Sequence, residues 1–446
     1  MQRFRTIFLA AAVLLAAQSV WAQSQVTEQV QQLQDYCRRN VPAGYSPRLN
    51  VLTCIPKGNL HYLFPFYHAF HDEKKFRQIY SDKGYYDELS QYFSFAGDYL
   101  TAMTYLEKSY DTIDDASRRR IYKTVENLKD LQHADARRYI HLLAKTHRVL
   151  MINGAYSKPQ HSAFTLSLLA DLYKQGFRYL AMEMLNNFSD HTLDRETLHT
   201  GYYSSEPVAG QLVRTALDMG YTLVSYEDTA AAVHTANQRD SAQAANLYEV
   251  LQKDSAAKIL VYASYAHIGK KVTAEGYIPM GLAFKRLSGI DPVSIDQTDM
   301  TEESNFGYGR VFYQAYMQKY STITTASVAL LNNEAINVTN NDLYDLTVIH
   351  PTTLYVDGRP SWLTLDGLRQ STYVKSPTTN VFLVQAYYLD EIEKNSNTPW
   401  QLVPADQTYI STGKKSYQLF LKKGKYKVYF RDIDYHILTP MDIEVN

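Results

Sequence analysis

Hydrophobic residues change their rhythm along this chain at Arg148. From Gln25 to about Ala144 apolar residues recur three and four apart between charged positions, with few glycines, which predicts amphipathic helices. Beyond Arg148 short apolar runs alternate with helix-length amphipathic segments. The runs predict strands over Val149 to Asn153, Tyr179 to Glu183, Tyr221 to Glu227, Lys258 to His267 and Pro292 to Gln297. Crossover helices are predicted between them, over Ala163 to Lys174, Glu206 to Met219, Ala230 to Lys253 and Glu275 to Leu287. Such alternation implies right-handed βαβ units and a mainly parallel central sheet. Tyr308 to Asn332 reads as helix. From Tyr344 onward strands such as Asp345 to Ile349, Val381 to Tyr388, Ser416 to Leu421 and Lys425 to Phe430 are broken by turn residues and predict a small β-sandwich. The expected fold class is therefore α/β: a mainly parallel central sheet with crossover helices, preceded by a helical region and followed by a small β-rich module.

The expected domains are a signal peptide over 1–22, a helical region over 23–144, the α/β domain over 145–340 and the β-rich module over 341–446. Arg3 and Arg5, the apolar run Ile7 to Ala17 and Val20-Trp21-Ala22 have the order of a cleavable secretory signal, with cleavage after Ala22. The apolar run is shorter than the ~20 residues a membrane-spanning helix needs, and no later stretch reaches that length. A soluble periplasmic or secreted protein is expected. Cys37 and Cys54 are the only two cysteines, and in an oxidising compartment an even pair predicts a disulfide. Within the helical region Gly97 to Lys108 is similar to the second half of a tetratricopeptide repeat. One repeat cannot bury a continuous core, so this stretch is expected to be a helical hairpin packed on a larger body.

Composition narrows the function classes. A net charge of −1 with interspersed signs offers no footprint for nucleic acid or for an anionic membrane surface. The 38 tyrosines, against 3 tryptophans, predict many half-buried surfaces whose hydroxyls need partners.

Ligands of open parallel sheets bind at the carboxyl ends of the strands, where loops converge and helix N-termini point inward. The predicted strands end at Asn153-Gly154, Glu183, Glu227, His267 and Asp296-Gln297, which predicts a shared polar pocket. On the helix beginning near Ala230, Arg239, Gln243 and Asn246 fall at i, i+4 and i+7 and form one polar stripe. Arg239 facing inward requires carboxylates, which Glu183 or Glu227 supply. His267 paired with Glu183 forms either a general base with its orienting carboxylate or two ligands of a divalent metal. His161, after Pro159, opens the first crossover helix. The chain has no Walker loop, dinucleotide fingerprint, His-Glu-x-x-His helix or Gly-x-Ser-x-Gly elbow.

The run from about Arg148 to Gln297 resembles the superfamily of erythromycin esterases, ChaN haem-binding lipoproteins, TraB and the Tiki proteases. Asn153, Ala155, Pro159 and His161 match a first-strand motif Asn-Glu-Ala-His-His-x-Pro-x-His-Arg, whereas Gly154, Tyr156, Ser157 and Ser162 replace its Glu, its two adjacent His and its Arg. Ala181-Met182-Glu183, Arg239 with Ala245-Asn246, Ala266-His267-Ile268 and Gly358 to Leu363 match later motifs. The resemblance implies an esterase-like or ChaN-like fold; together with the strand-end residues it gives an expected site with Glu183, His267, Arg239 and His161 as catalytic residues and Asn153, Tyr156, Glu227 and Asn246 as binding residues. It also implies a site that has lost the groups best suited to activating water. Losing a positioned base costs about two to four orders of magnitude in rate. Three outcomes stay open: a dead site reused for a small-molecule ligand, a weakened hydrolase, or a site in which Tyr156 acts as an acid or a haem ligand. A divalent metal or haem is the cofactor class left open. The alternative is a non-catalytic structural role in which helical and Tyr-rich surfaces meet a protein partner.

Overall fold

The structure, a computed structural model, describes residues 27–41, 53–54, 59–187, 193–230, 234–304, 309–339, 341–396, 399–413 and 415–446. The expected signal peptide lies outside the described residues. Two compact units divide the chain, Asp111–Thr352 and a second made of Met1–Tyr110 with Thr353–Asn446. Among the described residues no helix is long and apolar enough to cross a membrane.

The first unit is an α/β fold. Its strands are β1 (Gln132–Asp135), β2 (Val149–Gly154), β3 (Tyr179–Met182), β4 (Thr222–Val224), β5 (Ile259–Ser264), β6 (Val293–Met300), β7 (Ser327–Leu331), β8 (Glu334–Ala335) and β9 (Leu346–Ile349). Its helices are α1 (Asp115–Glu126), α2 (Ala136–Leu143), α3 (Pro159–Lys174), α4 (Pro207–Met219), α5 (Ala236–Lys253), α6 (Met280–Ser288) and α7 (Gly309–Lys319). The sheet order is β8-β7-β9-β6-β2-β5-β3-β4, with β1 also on β7. Six neighbours from β9 to β4 run parallel, and β7 pairs antiparallel with β9, β8 and β1. Strands β2 and β6 are buried along their whole length, as central strands covered on both faces should be, although β6 carries Ser294, Asp296, Gln297, Thr298 and Asp299 into the interior. Local chemistry sets the helix ends. Pro159 and Pro207 open α3 and α4, where a missing N–H costs nothing. Thr235 and Gln238 form a capping box on α5, and Gly220 closes α4 in the left-handed region.

The structure corrects three sequence expectations here. The region around residues 111–144 belongs to the α/β unit, because Ile121 and Val125 of α1 share a core with Val311, Phe312 and Tyr316 of α7 and because β1 extends the sheet. The helix expected through Asn332 stops at Lys319: Asn332 and Asn333, both at positive φ, make the tight turn that pairs β7 with β8. The strand expected at Asp345 to Ile349 pairs with β6 of the central sheet and is not part of the C-terminal module.

In the second unit a helix over 27–39 and the helices Phe64–His71, Glu73–Phe95 and Tyr99–Ser109 are joined to β-structure from the far end of the chain. Leu33, Phe66, Tyr92 and Phe93 share one core with Phe382, Leu383 and Tyr409, which is why the helices and the β-rich module form one body. The strands Gln370–Lys375 and Ser416–Leu421 make one antiparallel pair, and Asp406–Thr408, Leu383–Tyr388, Gly424–Arg431 and Ile437–Val445 a four-stranded sheet. Val374 and Leu419 from the pair meet Val384, Val428 and Phe430 from the sheet. The repeat-like Gly97 serves this β-structure: its φ is +82°, and a Cβ there would stand 2.1 Å from the Gln407 carbonyl. Cys37 is buried, and the side chain of Cys54, its expected disulfide partner, lies outside the described residues.

Candidate functional site

The two strands that flank β2, namely β5 and β6, follow one another in sequence, so the chain crosses over β2 between them. That crossing is where the carboxyl ends of a parallel sheet leave a crevice. Glu183 directly follows β3, Glu227 lies shortly beyond β4, and His267 sits in a short 3-10 turn, Tyr265–Ile268, that follows β5. The sequence expected His267 on the strand itself. Helix α5 completes the set with Arg239, Asp240, Gln243 and Asn246.

Arg239 is the hub. Its Nη2 donates to Glu183 Oε1 at 2.7 Å, its Nε donates to Glu227 Oε1 at 2.8 Å, and its Nη1 lies 3.3 Å from His267 Nε2. Gln243 Nε2 donates to both Glu227 oxygens at 3.2 Å, and Asn246 Nδ2 donates to the Tyr226 carbonyl at 3.0 Å. The predicted polar stripe of α5 thus faces the strand ends rather than solvent. Glu183 Oε2 accepts from the Ser264 amide at 2.6 Å and from the Tyr156 hydroxyl at 3.0 Å.

His267 is oriented by a residue the sequence reading missed. Its Nδ1 lies 2.9 Å from both oxygens of Asp240, which also accepts from the Met280 amide and from the Tyr277 hydroxyl. The opposite nitrogen, Nε2, lies 3.8 Å from Glu183 Oε1. Asp240 is the orienting carboxylate, and Glu183 is the group facing the other ring edge. The signal for Asp240 was its place beside Arg239 in the first turns of α5, one residue off the polar stripe.

The electrostatics follow from this geometry. Burial works to raise the Glu183 carboxyl, but His267, the Arg239 guanidinium and the Ser264 amide outweigh it and hold the group below its usual range. Burial works to lower the His267 imidazole, and Asp240 with Glu183 reverses that and raises it. Burial, reinforced by Glu183, pushes the Tyr156 hydroxyl far above its ordinary value, so it remains a proton donor.

The remaining expected residues stand apart from this cluster. Asn153 Nδ2 donates to the Tyr265 carbonyl and to Asp296, and Asn153 Oδ1 accepts from the Gln297 amide at 2.8 Å, which uses the side chain internally. His161 is fully buried: its Nδ1 accepts from the Ala155 amide at 2.9 Å, its ring lies against His350, and burial followed by His350 and Lys158 keeps it neutral. Asp296 and Asp299 are both raised by burial, Asp299 to about 8 with a further push from Asp296. Gly154 is required sterically, since a Cβ there would stand 2.4 Å from the Tyr262 hydroxyl. Tyr156 in turn stacks on Tyr203, with centroids 4.2 Å apart.

Neither cofactor class left open by the sequence fits this arrangement. The Arg239 guanidinium occupies the space between the two glutamates that a divalent cation would take, and the Tyr156 hydroxyl is committed to Glu183 with its ring held by Tyr203. Among the described residues, three side chains in metal-ligating proximity occur at Asp432, Asp434 and His436, in a turn of the other unit.

No protein-family model matches the chain, and no curated protein is detectably similar to it in sequence. Among solved structures, RRSP, a MARTX toxin effector domain from Vibrio vulnificus, aligns at 14% identity and a TM-score of 0.27 over 52% of this chain and 52% of its own. The C-terminal region of Pasteurella multocida toxin, whose crystal structures reveal a thiol-protease like catalytic triad, aligns at 10% identity and a TM-score of 0.25 over 86% of this chain and 59% of its own. The chain spans about half the length of the first and about three fifths of the second. Neither similarity is close enough to carry an argument about function.

Proposed function

We propose that this is an exported protein whose α/β unit keeps a remodelled hydrolase-type site of the erythromycin esterase and ChaN-like kind, with His267 as its proton-transfer group. The observation that carries the reading is the ordered pair at His267: Asp240 holds Nδ1 at 2.9 Å while Nε2 faces Glu183 across 3.8 Å. An imidazole whose Nδ1–H is fixed by a buried carboxylate presents a basic Nε2, and the same carboxylate stabilises the imidazolium formed when that nitrogen takes a proton from water. Arg239, one third exposed at 34%, is the cation available to a developing oxyanion beside it. The signal-like residues 1–22 support a periplasmic or secreted location.

The test is hydrolysis of p-nitrophenyl esters by the mature chain and by His267→Ala and Asp240→Asn. Turnover that falls about 100- to 10,000-fold in His267→Ala supports the assignment. Equal background rates in all three forms would sink it.

A second reading rests on Gly154 and Tyr156. Tyr262 fills the space a side chain at position 154 would need, and Tyr156 closes over Glu183. These contacts support a site that binds a small ligand or a protein partner without turning it over. Ligand-induced stabilisation without ester hydrolysis is the outcome that selects it.

A further inference from the structure

The backbone that delivers His267 is held in a conformation it would not choose. Tyr265, which opens the turn, has a φ of +36°, a left-handed conformation that a bulky side chain avoids. Such a residue persists when its surroundings over-determine it, and it does so most often beside functional groups. Here the surroundings can be named. The Asn153 Nδ2 donates to the Tyr265 carbonyl at 3.0 Å, and the Ser294 hydroxyl donates to the Ile268 carbonyl at 2.6 Å. The first and last carbonyls of the four-residue turn are therefore tied to side chains on β2 and β6, and both side chains are fully buried. Helix α6 closes the turn from another direction: a Cβ on Gly281 would stand 2.5 Å from the Ile268 oxygen, so the bare helix backbone lies directly against it.

We propose that Asn153 and Ser294 are positioning residues that hold the strained Tyr265–Ile268 turn and thereby aim the His267 imidazole between Asp240 and Glu183. This rests on the reading of His267 as the proton-transfer group. It replaces the sequence expectation that Asn153 binds ligand, since its donors and acceptor are spent on Tyr265, Asp296 and Gln297. Freed of its ties, Tyr265 relaxes toward negative φ, and the ring two residues later swings off Asp240. The groups facing the ring are Asp240, Glu183, Arg239 and Tyr277. Loss of the Asp240 contact removes the hydrogen bond that does most to raise the imidazole against its burial, and a downward shift is expected.

The experiment is an NMR titration of the His267 ring nitrogens in the full mature chain, in Ser294→Ala, in Ser294→Thr and in Asn153→Ala, with thermal unfolding to show that each is folded. Ser294→Ala and Asn153→Ala should shift the His267 titration to lower pH, while Ser294→Thr, which keeps the hydroxyl, stays near the natural chain. If Asn153→Ala does not fold, Ser294→Ala alone decides. An unchanged His267 titration in folded Ser294→Ala overturns the proposal. Where ester hydrolysis is measurable, kcat in Ser294→Ala should fall about tenfold with KM unchanged, the mark of a misdirected group rather than of weakened binding. A shifted titration with no hydrolysis in any form supports the positioning role and removes the hydrolase reading, so the two fail separately.

Discussion

Arg359 and Arg239 are each paired with carboxylates, and the contrast between them separates a sealed charge from an accessible one. Arg359, 1% exposed, donates through Nη2 to both oxygens of Asp406 and through Nη1 to the Gly97 and Gln407 carbonyls. Asp406 also accepts from the Phe420 amide, so this ion pair is sealed and ties helix to sheet within its unit. Arg239 is 34% exposed, is shared by two glutamates that belong to different strand ends, and has a histidine at 3.3 Å. A sealed pair stabilises one arrangement. An open cluster of three ionisable types, with one face toward solvent, keeps groups whose protonation can change during a reaction.

The largest expected effect lies with the sealed pair. Asp406→Ala leaves Arg359 uncompensated in the core and should cost about 3–5 kcal/mol in urea unfolding, with no direct effect on His267. Arg239→Met comes next. It strands two partly buried carboxylates and should cost about 1–3 kcal/mol, and it should raise the Glu183 pKa by removing a group that now lowers it; a Glu183 titration that does not rise contradicts the role given to Arg239. Gly154→Ala should cost about 1–3 kcal/mol through overpacking against Tyr262, with most of that loss absent when the same change is made in a Tyr262→Ala background. Additive costs in that double-mutant cycle would break the steric account of Gly154.

The smallest effect is in pH dependence. The folded His267 pKa is raised, so its stabilisation is complete below the unfolded value of about 6.5 and is lost as pH rises through the folded value. The folded Glu183 pKa is depressed, so its stabilisation is present above the unfolded carboxylate range and is lost as pH falls through the folded value. Asp240→Asn should flatten the alkaline slope in unfolding free energy measured against pH and leave the acid slope in place.

The central sheet was legible in the sequence because buried parallel strands tend to be apolar runs, as β2 and β5 largely are, whereas β6 buries Ser294, Asp296, Gln297, Thr298 and Asp299 among its apolar residues. The cluster of Glu183, Glu227, Arg239 and His267 was legible because polar residues at strand ends and an i, i+4, i+7 stripe are both periodic signals. Asp240 was not, since a residue adjacent to the stripe points elsewhere on an ideal helix; only the turn after β5 brings His267 round to it. The division into units was hidden for a different reason. Apolar helix faces such as that of Phe66 and Phe93 announce that they need a partner, but not that the partner is Phe382 or Tyr409 some three hundred residues later. The tyrosines read as half-buried include Tyr226, Tyr262 and Tyr409 among the most deeply buried side chains. The Tyr226 hydroxyl donates to the Tyr262 carbonyl and that of Tyr409 to Asp98.

One unit is built from both ends of the chain, and this gives synthesis a direction. The α/β unit has all its strands once Ile349 has emerged. The helices that precede it must wait for residues beyond 380 before Phe66, Tyr92 and Phe93 are covered. A nascent chain therefore carries a completed α/β body while an aromatic surface upstream of it is still open, the condition in which hydrophobic segments recruit chaperones or self-associate. Truncation before Leu383 should accordingly yield a folded middle and an aggregation-prone beginning, so the last strands act as a lock that the first helices need.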